Sequence, residues 1–362
     1  MSRRRDSYQR HLVEHVGEYY PDLSADRAPV RLVEVRDGKS SEVFRFAIGC
    51  NGTSRHILIK RPKTDTARYR MAAQTDIAVK SRLEYEGLLA IEEHFRNLSD
   101  DRFRALRALG FIEHDAALVV EELSGPSLLK LFLSVNRFPF SRRTAELDPP
   151  FRNAGSWLCE YHRLPARSEV EIHDDTRQAF ESAVRESATY LGGSLGKAAY
   201  FDDLAERTIT RARQVLPEQL PIGLKHGDYA MRNLLVAPNG SVAGFDTQAK
   251  WRVPIYDDIA LFVIELEANW RQVLSNGLAF RASTLERYRQ QFVQGYFEAD
   301  PVPEESINLF MIKSMLHRWS AHIYRMAGLQ RDGKITLRRV MLPVSNHFFQ
   351  RYLSALDRQA PR

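Results

Sequence analysis

The chain has 362 residues, 44% hydrophobic and 27% charged, with a formal net charge of +6; this is the balance of a globular protein with enough chain for two lobes. No apolar run approaches the roughly 20 residues of a bilayer span, the basic N-terminus lacks the apolar stretch of a secretory signal, and Cys50 and Cys159 stand too far apart for a disulfide framework or a cysteine metal site. Basic residues are scattered among 46 acidic ones without a Lys/Arg block, so the expectation is a cytoplasmic protein with no nucleic-acid partner, no stable membrane insertion and a mild bias toward anionic ligands.

Residues 7 to 20 read as a helix ended at Pro21. Strand patterns follow: "VRLVEV", then the loop "RDGKSS", "EVFRFAI", the turn "GCNG", and "RHILIK", with a hairpin closed at Asn51-Gly52. From Gln74 to Phe95 the spacing of Ile77, Leu83, Leu88, Ile91 and Phe95 predicts an amphipathic helix. Strands around "ALGFIEH" and "AALVVEEL" complete a sheet-plus-helix unit. Beyond Leu123 the pattern turns helical. "NAGSWLCEYHRL" puts Trp157, Leu158 and Tyr161 on one face, and residues 175 to 215 read as two helices around "LGGSLGK". Helices are also expected over "DDIALFVIELEANW", "TLERYRQQFVQGYF" and "SINLFMIKSMLHRWSAHIYRM", with a last one from about Pro343.

One stretch interrupts the helices. In "LKHGDYAMRNLLVAPNGSVAGFDT" two short apolar runs flank "PNGS", a strong hairpin signal. A hairpin brings its ends together, so Asn233 before the first strand and Asp246 after the second should be neighbours, with Asp228 on the loop leading in. Asp, four residues, then Asn is the catalytic-loop spacing of kinase-like phosphotransferases. Two carboxylates and an amide oxygen suit Mg²⁺, which takes oxygen ligands together with substrate phosphates. Upstream, Lys60 ends an alternating strand where a lysine would meet phosphates. Glu84 or Glu86 of the next helix can pair with it, and the register with Leu88 and Ile91 favours Glu84.

Taken in order, these elements resemble the aminoglycoside phosphotransferase and choline kinase group. "HGDYAMRN" resembles its catalytic loop, "LVVEELSGPSL" its interlobe linker, and "YDDIALFV" the element after the magnesium aspartate. The resemblance implies an α+β, bilobal, protein-kinase-like fold with a small antiparallel-sheet N-lobe and a large, mostly helical C-lobe. Residues 1–28 would be a helical extension, 29–122 the nucleotide-binding N-lobe, and 123–362 the C-lobe with catalytic loop and acceptor site. ATP and Mg²⁺ are implied as cofactors, with a small hydroxyl compound as acceptor.

Carried over by residue, Asp228 would be the catalytic base, and His226 would orient its loop. Asn233 and Asp246 would hold magnesium. Lys60 would grip phosphates and Glu84 would hold Lys60. Gly38, Lys39, Ser40 and Ser41 would cover the phosphates, backbone groups of Glu121 and Leu123 would receive adenine, and Asp258 would brace the loop. "GFDT" stands where a DFG-type sequence would, and no A-P-E motif follows, which argues against a protein kinase switched on its activation loop.

Near the expected acceptor position stand Arg232, Lys250, Trp251 and Arg252, and "HRWSAHIYR" adds His317, Arg318, Trp319, His322 and Arg325. That chemistry suits a neutral or anionic sugar-like acceptor, or a glycan precursor, better than a polycationic antibiotic. Against this stand a catalytically silent nucleotide-binding scaffold and a kinase acting on a protein or lipid-linked glycan.

Overall fold

The computed structural model describes residues 2–23, 29–38, 41–50, 53–63, 74–137, 140–141, 144–165, 171–247, 251–331 and 335–358. The chain forms two compact units, one of residues 1–125 and 243–249, the other of residues 126–242 and 250–362.

The first unit contains α1 (Ser2–Tyr19), β1 (Val30–Asp37), β2 (Ser41–Cys50), β3 (Thr53–Pro62), α2 (Gln74–Leu98), β4 (Phe103–Arg104), β5 (Ala108–Ile112) and β6 (Ala117–Glu121). Five of these strands form an antiparallel sheet in the order β1-β2-β3-β6-β5. Alternation along each strand assigns the two faces. Phe44, Phe46, Ile48, Ile57, Ile59 and Val119 point to one side, where Tyr8, Leu12 and Val16 of α1 cover them at helical spacing. Leu58, Leu118 and Val120 point to the other, where Leu88 of α2 and Phe245 pack on them. The helix read as a separate extension is thus part of this unit's core, and residues 243–249 join the same unit. Lys60 lies two residues past Leu58, on the α2 side of the sheet. The β2–β3 ladder runs to Cys50↔Thr53; the expected turn residues Asn51 and Gly52 fall outside the described residues.

The second unit contains α3 (Leu128–Val135), β7 (Asn136–Arg137), β8 (Phe140–Ser141), α4 (Asp148–His162), β9 (Glu171–Ile172), α5 (Arg177–Leu195), α6 (Ala198–Val215), β10 (Ile222–Leu224) and β11 (Leu234–Val236). After β12 (Val242–Gly244), which carries the chain into the first unit, it resumes with β13 (Trp251–Pro254), α7 (Ile255–Glu267), α8 (Trp270–Leu274), α9 (Ala282–Phe297), α10 (Glu304–Arg331) and α11 (Ile335–Arg358). α10 packs against α5, α6, α7 and α11, and its residues Ile307, Leu309, Phe310, Met311 and Ile312 are fully buried. This apolar stretch, buried around the whole turn, places the start of α10 among those helices.

Two helix boundaries differ from those expected. "DDIALFVIELEANW" breaks before Trp270, because Asn269 caps α8, its Oδ1 accepting from the Arg271 and Gln272 amides at 3.1 and 3.3 Å. The last helix starts at Ile335, with Pro343 inside it rather than at its head.

Candidate active site

In the second unit, β10 pairs antiparallel with β13 in the register Leu224↔Arg252. The loop after β10, carrying His226 and Asp228, is therefore held beside the start of α7, which carries Asp258. Asp258 is 1% exposed and accepts from the backbone amides of His226 (2.7 Å) and Gly227 (2.9 Å). His162, at the end of α4, stands 3.4 Å from the same carboxylate through Nε2, and its Nδ1 meets the Tyr296 hydroxyl at 2.7 Å. Burial pushes the Asp258 acid up, but the His162 contact and the His226 amide outweigh it and hold it below the ordinary carboxylate range. The expected brace is thus a buried carboxylate that fixes the loop backbone.

The ring of His226 is fully buried, with ring centroids of Trp157, Tyr161 and Tyr229 at 6.0, 5.5 and 5.0 Å. Tyr229 is buried too and donates to the Ala154 carbonyl at 2.6 Å, so aromatic packing anchors the loop on α4. His226 stands in this anchor, whereas the Asp228 side chain remains 42% exposed.

Asn233 spends its amide group on Asp228, donating to Oδ2 and to the backbone carbonyl, both at 2.9 Å. What its side chain has left to offer a cation is the carbonyl oxygen. Arg232 donates to Asp228 Oδ1, and its other arm reaches Glu265 at 3.1 Å. Glu265 also accepts from Arg318, which donates to the Ala268 carbonyl at 3.0 Å. Sequence reading placed both arginines near an acceptor but missed Glu265. The four groups form a chain, Asp228–Arg232–Glu265–Arg318, with two charges of each sign.

Of the other acceptor-site candidates, Arg252 donates to the Leu164 carbonyl at 2.5 Å, a packing contact. Trp251 has the Lys225 ammonium 5.6 Å from its ring centroid and His173 edge-on at 5.7 Å. Lys250 lies outside the described residues.

In the first unit, three elements converge on Lys60. Its ammonium contacts Glu84 Oε1 of α2 at 2.7 Å and Asp246 Oδ1, just past β12, at 2.5 Å. Burial works against the charged lysine, but the two carboxylates outweigh it and hold its pKa above the usual value. Glu84 is pushed up by burial, with Lys60 opposing. Asp246 is in the left-handed region at φ +59°, a conformation Asp tolerates better than most residues.

A cavity of about 120 Å³ beside them is lined by Ser41, Lys60, Pro62, Ser81, Glu84 and Leu118, room for a small charged group. Gly38 donates its amide to the Ser41 carbonyl at 2.9 Å, and a Cβ on Gly38 would meet that oxygen at 2.9 Å, so the turn requires glycine. Lys39 and Ser40 lie outside the described residues. The Glu121 amide is engaged with the Arg107 carbonyl at 2.9 Å, while Leu123 packs at the edge of the apolar cluster around Leu88.

Among the described residues no three His, Cys, Asp or Glu are grouped as a metal site. Taken singly, the Asp246 carboxylate and the Asn233 carbonyl are hard oxygen donors of the kind magnesium takes.

Residues 139–302 match the model of the phosphotransferase enzyme family, APH. This segment is similar to phosphotransferase sequence. It takes in Asp228, Asn233, Asp246 and Asp258, and the resemblance read from the sequence is borne out. The match supports phosphotransferase chemistry for the segment that carries these residues.

No curated protein matches the chain. Among solved structures, the phosphotransferase fold recurs in a glucosamine kinase bound to glucosamine, ADP and inorganic phosphate, at TM-score 0.53 and 11% identity over 95% of this chain and 97% of that one. It recurs in an aminoglycoside phosphotransferase bound to AMP-PNP and hygromycin B, at 0.51 and 14% over 95% and 98%. A macrolide 2′-phosphotransferase from Brachybacterium faecium scores 0.50, with 13% identity over 93% and 97%. At such identities the likeness is one of fold, and the α+β, kinase-like fold expected from the sequence is what these comparisons bear out. No helix among the described residues is long and apolar enough to cross a membrane.

Proposed function

We propose that this chain transfers the γ-phosphate of ATP to a hydroxyl of a small, sugar-like acceptor, giving ADP and a phosphate ester. The observation that carries the reading is the convergence of β3, α2 and the segment after β12 on one ammonium group, Lys60 between Glu84 and Asp246. A lysine held this way is a fixed positive charge for phosphate oxygens. Gly38 to Ser41 would cover those phosphates, and backbone groups of Glu121 and Leu123 would receive the base.

Asp228 would orient the acceptor hydroxyl and take its proton as the new bond to phosphorus forms. Its oxygens accept from Asn233 and Arg232, which fixes the carboxylate plane. Asn233 and Asp246 would hold magnesium, which when bound neutralises charge on the phosphates. His226 and Asp258 keep the loop in place and need not touch substrate.

The acceptor is proposed as neutral or anionic, with the neutral end favoured. Arg232 and Arg318 are balanced by Asp228 and Glu265, so they present no surplus charge to an acid. ATP turnover across neutral, acidic and aminoglycoside sugars tests the reading. Asp228→Asn is expected to lower kcat by about 10²–10⁴-fold with MgATP affinity retained, whereas Asp246→Asn should weaken magnesium-dependent nucleotide binding itself. Full turnover by the first variant would remove Asp228 from the chemistry, and preferred turnover of polycations would overturn the acceptor class.

A further inference from the structure

A cavity of the second unit lies away from Asp228's own contacts. It has a volume of about 800 Å³, between α3 on one wall and the segment from α8 to Phe280 on the other. Small-molecule sites typically occupy 300–1,000 Å³. Its floor is apolar and firmly held: Leu129 and Leu133 come from α3, and the buried Phe280 ring lies 4.7 Å from that of Phe132.

Two cations reach it from opposite walls, Lys130 from α3 and Arg271 from α8. Neither makes an ion pair among the described residues, in a chain that pairs arginines as closely spaced as Arg232 and Arg318 with carboxylates. No acidic side chain is among the lining residues, so among the described residues the wall carries positive charge without an acidic partner. Beside the cavity, the segment that carries Arg271 leaves large apolar groups in water. Trp270 is 62% and Leu278 76% exposed, with the Arg271 guanidinium 5.5 Å from the Trp270 ring centroid. Single exposed apolar residues are ordinary, but two this exposed beside a cation-lined cavity mark a place where something apolar is received.

From this juxtaposition we infer that the cavity between α3 and α8 is a binding site for an amphipathic organic anion, with one phosphate or carboxylate group and an apolar body. The acid group meets Lys130 and Arg271, and the body lies on Leu129, Leu133 and Phe280 and extends toward Trp270. Size and charge both select for this class: inorganic phosphate would leave the apolar floor uncovered, and a neutral amphiphile would leave both cations unmatched. α3 also packs against the Met231–Asn233 turn, so an occupant braces the element that carries Asn233. The inference stands apart from the proposed reaction, since it needs neither nucleotide nor turnover.

The test is a calorimetric titration of the full chain with decyl phosphate below its micelle concentration, followed in parallel by tryptophan fluorescence. Decyl maltoside and inorganic phosphate serve as the neutral and headgroup-only probes. Saturable binding of decyl phosphate at least tenfold tighter than either probe is expected. The double variant Lys130→Gln/Arg271→Gln should lose at least tenfold of that affinity with an unchanged Tm, and Trp270→Phe should remove most of the fluorescence response. Equal binding of decyl maltoside, undiminished binding by the double variant, or a response only above the micelle concentration or with anionic vesicles would overturn the site. Phosphotransfer without decyl phosphate binding would sink this inference alone, and binding without phosphotransfer would sink the proposed function alone.

Discussion

Asp258 shows how one buried carboxylate can hold a loop without touching substrate. Its two oxygens accept from the His226 and Gly227 amides, and His162 stands on the same side. Asp258→Ala would leave these buried donors unmatched, at about 1–3 kcal/mol each when unsatisfied. A loss of about 3 kcal/mol in urea unfolding is expected, together with lost turnover; a loss under about 1 kcal/mol would mean that water replaces the carboxylate. Because its pKa is depressed in the folded state, the Asp258 contribution is fully present above the unfolded carboxylate value of about 4 and fades only in stronger acid. The pairing of Lys60 is also decided at this scale. Glu84 and Glu86 are separated by about 200° around a helix, so only one of them can face the strand, and Glu84 does. That choice was legible from the positions of Leu88 and Ile91, because the same stripe that buries them turns Glu84 toward the sheet.

Between elements, the tightest constraint is the crossing of α4 and α9. A Cβ on Gly155 would stand 1.9 Å from the Phe292 carbonyl oxygen, and one on Gly295 would stand 1.9 Å from that of Arg152. Two glycines bring the helix backbones together, and Ser156 donates to the Gly295 carbonyl at 2.8 Å. Gly155→Ala must push α9 away, so a destabilisation of about 3 kcal/mol is expected, at the upper end for overpacking; an unchanged Tm would show that the crossing can relax.

The α10–α11 contact carries a different liability. His322 meets Ser345 Oγ at 2.8 Å, and burial, together with Arg325 and Arg318, lowers its pKa to about 4. A histidine that stays neutral when folded favours the unfolded chain once that chain begins to protonate near 6.5. Stability should be complete above pH 6.5 and fall toward pH 4, by at most about 3 kcal/mol from this residue. His322→Gln is expected to flatten that part of the stability profile; an identical profile would assign the acid sensitivity elsewhere. Neither feature announces itself in the sequence. Glycine within a helical pattern signals only weak propensity, and His322 resembles any histidine on a mixed helix until Ser345 and the arginines are placed around it.

For the whole molecule, the proposed function makes a thermodynamic demand. A ligand that binds only the folded chain stabilises it by about 2.7 kcal/mol at a hundred times its Kd. MgATP should therefore raise Tm, and Lys60→Met should abolish that rise, measured against the variant's own ligand-free Tm, which falls because Glu84 loses its buried partner. A full MgATP shift in that variant would separate nucleotide binding from Lys60. The five-stranded sheet, α2 and most of the helices of the second unit were written in the period-2 and period-3.6 apolar patterns, because burial of one face depends only on local spacing. The order Lys60, Glu84, Asp228, Asn233, Asp246 likewise marked the candidate site.

Which charges are left for a ligand could not be read in this way. Arg232 finds Glu265 at a separation of 33 residues, and Arg318 finds it at 53, so two cations that look like free charges in the sequence share one carboxylate. Lys130 and Arg271, ordinary surface charges in the sequence, prove to share one apolar cavity. Local periodicity determines which residues are buried and on which face. The partner of a long charged side chain depends on where distant helices come to rest, and only the tertiary structure decides that.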